Sequence, residues 1–219
     1  MPEPSPQFIL VATGCDLAPL GQALEALGAA VTSLPHADEG AALAAAIAER
    51  PGVCVIHAHM PEPIVPALFQ DIDEAAWAQG CEEPLRRTVA TMLAARKALL
   101  AAGAGGAIVG LGPAVSLVGG LRLSPLATAV EGQRTLTKSA ARQSLTTGLA
   151  INWVAVHPAL LTPELADLPR LTRFDPSGYP VTRIGYDRLA PLLLALAGPA
   201  GHAISGQTLV ADGGDWMLP

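Results

Sequence analysis

The chain has 219 residues, 51% of them hydrophobic and only 15% charged, with a formal net charge of −6. A chain of this length buries roughly 70% or more of its unfolded surface, enough for one well-formed core. The negative balance and the absence of any Lys/Arg cluster speak against nucleic acid and anionic membrane as partners.

Aromatic residues are only 4% of the chain, so the core must be mainly Ala, Leu and Val, which suits the short aliphatic strands of α/β layers. Cys15, Cys54 and Cys81 are odd in number and never form a Cys-x-x-Cys pair, so a reducing compartment is expected rather than a disulfide framework. The acidic, Pro-rich stretch Met1–Gln7 does not read as a signal peptide. No unbroken apolar run approaches the roughly 18–20 residues that span a bilayer. A soluble, cytoplasmic protein is expected.

Phe8–Ala12 is an aliphatic run ending at Thr13-Gly14 and reads as an internal strand. Leu20–Leu27 has helical spacing and stops at Gly28, the residue type expected just past a helix end. Ala30–Leu34 is a second strand, broken by Pro35; an Ala-rich helix follows over Asp38–Glu49, and Pro51-Gly52 turns the chain into the strand Val53–His57. Beyond Pro61, Pro63 and Pro66, Asp73–Ala102 is helical, with Pro84 marking an inner helix start. Then come a strand at Ala107–Leu111, a helix at Leu126–Gln143 and a strand at Ile151–Val156. A loop rich in Pro and Leu leads to the helix Tyr186–Ala197 and the strand Gln207–Ala211. Strands alternate with helices, with no linker and no repeat. The prediction is one Rossmann-like domain over 1–219: an α/β, doubly wound parallel sheet with helices on both faces.

Several segments carry a family resemblance. Ile204-Ser-Gly-Gln-Thr-Leu-Val-Ala-Asp-Gly-Gly214 resembles the closing strand and turn of the short-chain dehydrogenase/reductase family. Pro180–Gly185 with Tyr186–Ala197 resembles its penultimate helix, Leu136–Gln143 the second half of its catalytic helix, and Ile151–Pro158 the strand after it. Trp77 and the helix Leu85–Leu100 resemble the long helix that lines a subunit contact. The resemblance implies the fold over nearly the whole chain.

The family's functional positions read differently. A Thr-Gly-x-x-x-Gly-x-Gly turn would cradle pyrophosphate at a helix start; here Thr13-Gly14-Cys15-Asp16-Leu17-Ala18-Pro19-Leu20 keeps only Gly14, and Asp16 adds a negative charge. Pro35 stands near the position of the acidic residue that grips the ribose, and too few residues separate Leu34 from Val53 for the family's third strand. His57-Ala-His-Met60 replaces the family's Asn-Asn-Ala-Gly. The helix asparagine falls on Pro84, the catalytic serine on Pro113, the tyrosine on Leu126 and the lysine on Val130; a register shifted by three gives Leu123 and Ala127. No Tyr-x-x-x-Lys exists anywhere: Tyr179 and Tyr186 are followed four residues on by Arg183 and Ala190. Leu and Val can neither protonate an alkoxide nor lower a phenol's pKa.

His57 and His59 alternate on one side of their strand end, and His157 ends a later strand. Near Cys15 or Asp16 they are candidates for a metal or acid/base cluster; the plainer reading makes them polar fillers where cofactor once lay. Ser116 lies three residues past the lost serine position, without an obvious base, and Arg134 and Lys138 continue the helix stripe of Leu126 and Val130 toward solvent. The cysteines read as packing residues, and Asp212-Gly213-Gly214 as a terminal turn. The first expectation is thus a non-catalytic member of the family, without catalytic residues, metal or cofactor. It would serve as a structural or regulatory subunit of a homo-oligomer, or of a hetero-oligomer with an active paralogue. Two alternatives stand beside it. One is an oxidoreductase-like enzyme rebuilt around His57, His59 and His157, where NAD or NADP would return only with a rebuilt site. The other is a small-ligand binding protein covered by the loop Pro158–Pro180.

Overall fold

The computed structural model describes residues 5–34, 39–165 and 184–214. Pro35, Asp38, Tyr179 and most of the expected cover Pro158–Pro180 lie outside these residues.

Six strands form one sheet in the order β2-β1-β3-β4-β5-β6, every neighbouring pair parallel. They are β1 (Gln7–Thr13), β2 (Ala30–Leu34), β3 (Cys54–His59), β4 (Gly106–Pro113), β5 (Leu149–Val156) and β6 (Thr208–Ala211). The central three after β1 are buried along their whole length, as near-continuous apolar runs covered on both faces must be. The family's third strand is not among the described residues, and β2 is the outer strand beside β1.

The helices are α1 (Ala18–Ala26), α2 (Glu39–Ala48), α3 (Glu74–Trp77), α4 (Glu83–Ala102), α5 (Ser124–Arg142), α6 (Pro158–Leu161), α7 (Tyr186–Ala197) and α8 (Pro199–Ala203). Alternate residues of each strand feed two core layers. Leu10, Ile56 and Val109 pack with Leu20 and Leu24 of α1 and Leu189, Leu193 and Leu196 of α7. Ile9, Val55 and Ile108 pack with Leu43 and Ile47 of α2 and Met92 and Leu99 of α4. Each such leucine or isoleucine contributes about 1.5–3 kcal/mol on full burial.

Two elements differ informatively from the sequence expectation. The helical stretch expected over Asp73–Ala102 is three pieces. The Asp73 side chain accepts from Ala76 N at 2.8 Å to start α3, a π-helical turn occupies Ala78–Glu82, and α4 then begins with Pro84 in its first turn. At the π turn the chain runs against α5, since a Cβ on Gly80 would lie 2.7 Å from Pro125 Cβ. Second, β3 continues two residues past His57, because His57 and His59 pair in register with Val11 and Thr13 of β1. This places both histidines inside the sheet rather than beyond its end. No helix among the described residues is long and apolar enough to cross a membrane.

Candidate functional site

The strand order reverses between β1, which turns out to β2, and β3, which begins the run to β6. In open α/β sheets ligands lie outside the carboxyl ends of the strands at such a switch point. Here the floor of that crevice is a close backbone approach: Gly14 has φ 66°, and a Cβ on it would lie 2.8 Å from the carbonyl carbon of Met60. Only glycine fits both the conformation and the gap.

Above this floor lies a cavity of about 470 Å³ bounded by Thr13–Asp16, Glu62, Arg87 and the turn around Leu161 and Glu164. A smaller one of about 270 Å³ shares Gly14, Glu62 and Arg87 and reaches Gln79 and Pro84. Asp16, Glu62 and Glu164 make the rim acidic, and Arg87, whose Nε donates to Glu83 at 2.8 Å, is the cation on its wall. The start of α1 carries its own anion: Asp16 Oδ1 accepts from Ala18 N at 2.8 Å, and Pro19 offers no N–H at all. The Cys15 thiol points at Ala58 O, 3.7 Å away, and is pushed up to about 12 by burial and, second, by Asp16. Tyr186, at the first residue of α7, donates its hydroxyl to Leu160 O and lies 3.3 Å from Asp16 O, tying the turn after β5 to the loop after β1. Burial, with Cys15 and Asp16 nearby, holds this phenol well above its usual range.

The histidines do not converge in the crevice. His57 and His59 stack at 5.6 Å, nearly fully buried beneath α4 and α5. His59 is bonded on both ring nitrogens, to Thr13 Oγ1 at 2.9 Å and Thr91 Oγ1 at 3.0 Å, while Gln133 Nε2 of α5 donates to its carbonyl at 2.8 Å. Neither nitrogen of His57 meets a partner among the described residues, and burial lowers this imidazole to about 4. His157 precedes α6, and its Nδ1 caps that turn by accepting from Ala159 N at 3.2 Å. Among the described residues no three His, Cys, Asp or Glu side chains are grouped to hold a metal ion. The candidate cluster of His57, His59 and His157, weighed beside the plainer reading as polar fillers, does not assemble among the described residues: β3 buries the first two in the layer under the helices.

Pro113 ends β4, and Leu126 and Val130 are buried on the inner face of α5. The space beneath Val130 is filled by Trp153 of β5, whose indole lies across β4: a Cβ on Gly112 would lie 2.8 Å from Val130 Cγ1 and 3.1 Å from the indole Cη2, with Cζ2 nearer still. The serine that sequence reasoning left without a base has a carboxylate beside it. Ser116, in the turn Ala114–Leu117 that follows β4, lies 3.0 Å from Glu131 Oε1 and 3.2 Å from Pro113 O. The other oxygen of Glu131 accepts from Arg134 through both Nε, at 2.8 Å, and Nη2. Glu131 drew no notice in the sequence because nothing in a stripe analysis of α5 links it to a turn fifteen residues earlier.

Comparison with known proteins places this geometry. The family model described as enoyl-(acyl carrier protein) reductase matches residues 18–215. A curated relative, cis-4-hydroxycyclohexanecarboxylate dehydrogenase of Sinomonas cyclohexanicum, is 32% identical over 164 residues, which cover 74% of this chain and 64% of that enzyme, just under two thirds of its length. Among solved structures, a short-chain type dehydrogenase/reductase from Mycobacterium ulcerans superposes with a TM-score of 0.76 at 18% identity, covering 97% of this chain and 91% of that one. A short-chain dehydrogenase from Burkholderia cenocepacia J2315 in complex with NADP gives 0.69 at 22% identity, covering 94% and 96%. A Beutenbergia cavernae protein solved with NADP at low occupancy gives 0.73 at 18% identity, covering 96% of both chains.

These relatives overturn the expectation of a non-catalytic, cofactor-free subunit and support an oxidoreductase. That expectation read the departures at Thr13–Leu20 and His57–Met60 as loss of cofactor, and the residues matched at Pro113, Leu126 and Val130 as loss of chemistry. Proton transfer depends on where a hydroxyl and a base stand in space, not on their place in a motif. With a parallel sheet in this order, a glycine-floored crevice at its switch point and a family model matched from residue 18 to residue 215, the chain belongs to the short-chain dehydrogenase/reductase family.

Proposed function

We propose that the protein is a nicotinamide-dependent oxidoreductase that interconverts a small alcohol and its ketone in the crevice above Gly14. The observation that carries this reading is the cavity of about 470 Å³ at the switch point, lined by Thr13–Asp16. It falls within the size range of small-molecule sites and stands where this fold takes its ligands. Gly14, the backbone from Cys15 to Ala18 and the cation of Arg87 are the groups that would hold the dinucleotide's phosphates. Asp16 must leave Ala18 N for a phosphate to take its place. When bound, the nicotinamide supplies or accepts the hydride. The protein's own part is to orient the substrate, exclude water and manage one proton.

The alicyclic hydroxy acid in the name of the Sinomonas relative supplies the first substrate to try. Calorimetric titration with NAD+, NADH, NADP+ and NADPH, followed by turnover of cis-4-hydroxycyclohexanecarboxylate and its ketone, tests the reading. Submillimolar binding of one dinucleotide with measurable turnover is expected. No binding of any of the four up to millimolar concentration overturns it. The reading includes self-association, supported by Val89, Leu93 and Leu100, which stand exposed along α4 at 40%, 65% and 37%. Light scattering should find an oligomer that Leu93→Glu dissociates.

A further inference from the structure

We propose that a pocket between the loop after β3 and the start of α5 holds the hydrocarbon body of the substrate, a saturated ring or short branched chain, with Gln79 at the boundary where its polar end begins. The inference rests on the oxidoreductase reading. The pocket has a volume of about 110 Å³, and its walls include Ile64, Val65, Ile72, Ala76, Leu123 and Leu126. Gln79 is its only polar side chain among the described residues. Pro61 and Gln79 also line the cavity of about 270 Å³, which in turn shares Gly14, Glu62 and Arg87 with the crevice cavity. The three spaces thus adjoin in one row, from the glycine floor past Glu62 and Gln79 to the apolar walls.

The local structure builds this pocket. The π-helical turn Ala78–Glu82 sets Gln79 at the junction of the two smaller spaces, and such turns are frequent at functional sites. Gln79 Nε2 donates to Glu62 O at 3.0 Å, which ties the amide to the loop at the mouth. Ala67 N donates to Arg122 O at 3.0 Å, so the loop after β3 is fastened to the turn before α5. On these two segments Val65 and Phe69 stand 64% and 76% exposed, with Leu68 and Leu121 exposed beside them. Apolar side chains left in water around a concave apolar wall mark a binding groove. Size sets what fits. An apolar cavity of roughly 150 Å³ takes a benzene molecule whole. At about 110 Å³ this pocket takes most of a six-membered ring but not a whole substrate with its polar groups. The carbon that bears the oxygen therefore lies on the Gln79 side, toward the crevice. Ring hydroxyls turned to Ile64, Ile72 or Leu126 would meet no partner among these side chains, which excludes polyols.

Methyl NMR of the 13C-isoleucine-labelled protein reads the pocket without turnover, with cyclohexanone and myo-inositol as probes. The Ile64 and Ile72 signals, identified by their loss in Ile64→Val and Ile72→Val, should shift with cyclohexanone and stay still with myo-inositol. Kinetics supply the second readout. Ala76→Phe, on an exposed position of α3, fills the pocket and should raise KM for cyclohexanone about tenfold. Ile64→Ala enlarges it and should move kcat/KM toward cyclooctanone over cyclohexanone by about tenfold, the scale on which apolar pockets discriminate size. Both variants should bind dinucleotide within about twofold of the wild type, because neither residue borders the two cavities above Gly14. Isoleucine methyls that ignore cyclohexanone with and without dinucleotide overturn the pocket. So does a ring-size preference that both variants leave unmoved. Methyls that respond to cyclohexanone in a protein that binds none of the four dinucleotides keep the pocket as a ligand site and overturn the oxidoreductase reading instead.

Discussion

Asp16→Asn removes one charge from the crevice and keeps the hydrogen bond that closes the start of α1. In the native chain Asp16 Oδ1 accepts from Ala18 N at 2.8 Å. A dinucleotide phosphate placed at this helix start competes for the same N–H, which brings it within roughly 4 Å of the carboxylate. Two unit charges at that distance repel by about 1 kcal/mol in bulk water and about 4 kcal/mol at the lower effective dielectric of a partly covered site. Asp16 is exposed, so screening keeps the relief near the lower figure. The expected gain in NADP+ or NADPH affinity is therefore about fivefold to tenfold, at roughly tenfold per 1.4 kcal/mol. Calorimetry at low and high salt measures it, and the gain should shrink as salt rises. Because an asparagine oxygen still accepts from Ala18 N, the melting temperature should barely move. Asp16→Ala loses that acceptor and should cost about 1 kcal/mol, or about 2–4 °C in a domain of this size. Unchanged or weaker binding by a folded Asp16→Asn protein would refute the placement of phosphate at this helix start.

Gly110→Ala puts a methyl 2.6 Å from Trp153 Cζ3 and 3.2 Å from His57 Cε1, both buried, and should cost about 2 kcal/mol, read as a fall of about 4–8 °C in melting temperature. Gly40→Ala meets nothing within 4 Å and is the matched control, so an equal fall there would dismiss the packing argument. Burial lowers His57 from 6.5 to about 4, so below pH 6.5 the unfolded chain binds a proton that the folded chain refuses. Stability should fall from about pH 6.5 to about pH 4 by roughly 3 kcal/mol, and His57→Leu should flatten that limb of a pH-denaturation series. The Cys15 thiol, pushed up to about 12, should alkylate far more slowly than free cysteine at neutral pH. Rapid labelling of Cys15 in the native protein would contradict its burial against Ala58.

Local sequence carried the architecture. Ala30–Leu34 and Tyr186–Ala197 stand where their apolar spacing and flanking Pro and Gly put them, and the other strands and main helices differ mostly at their ends. Strand and helix periods are properties of neighbouring residues, so they can be read without the fold. Short turns such as Ala114–Leu117 and α6 are too brief to show a period, and α6 starts at Pro158 behind a histidine whose ring accepts Ala159 N.

The sequence by itself also determined that Leu126 and Val130 carry no ionisable group wherever they point. What only the tertiary structure decided is which polar groups meet. His57 and His59 share a side, as alternation requires, but pairing with β1 extended β3 and sealed them under α4 and α5. Ser116 gains Glu131, and Tyr186 gains Leu160 and Asp16, only when a turn is folded over a helix and α7 against the loop after β1. Periodicity reports the face of one element. Chemistry between elements depends on distances of a few ångström, and those exist only after the layers have packed.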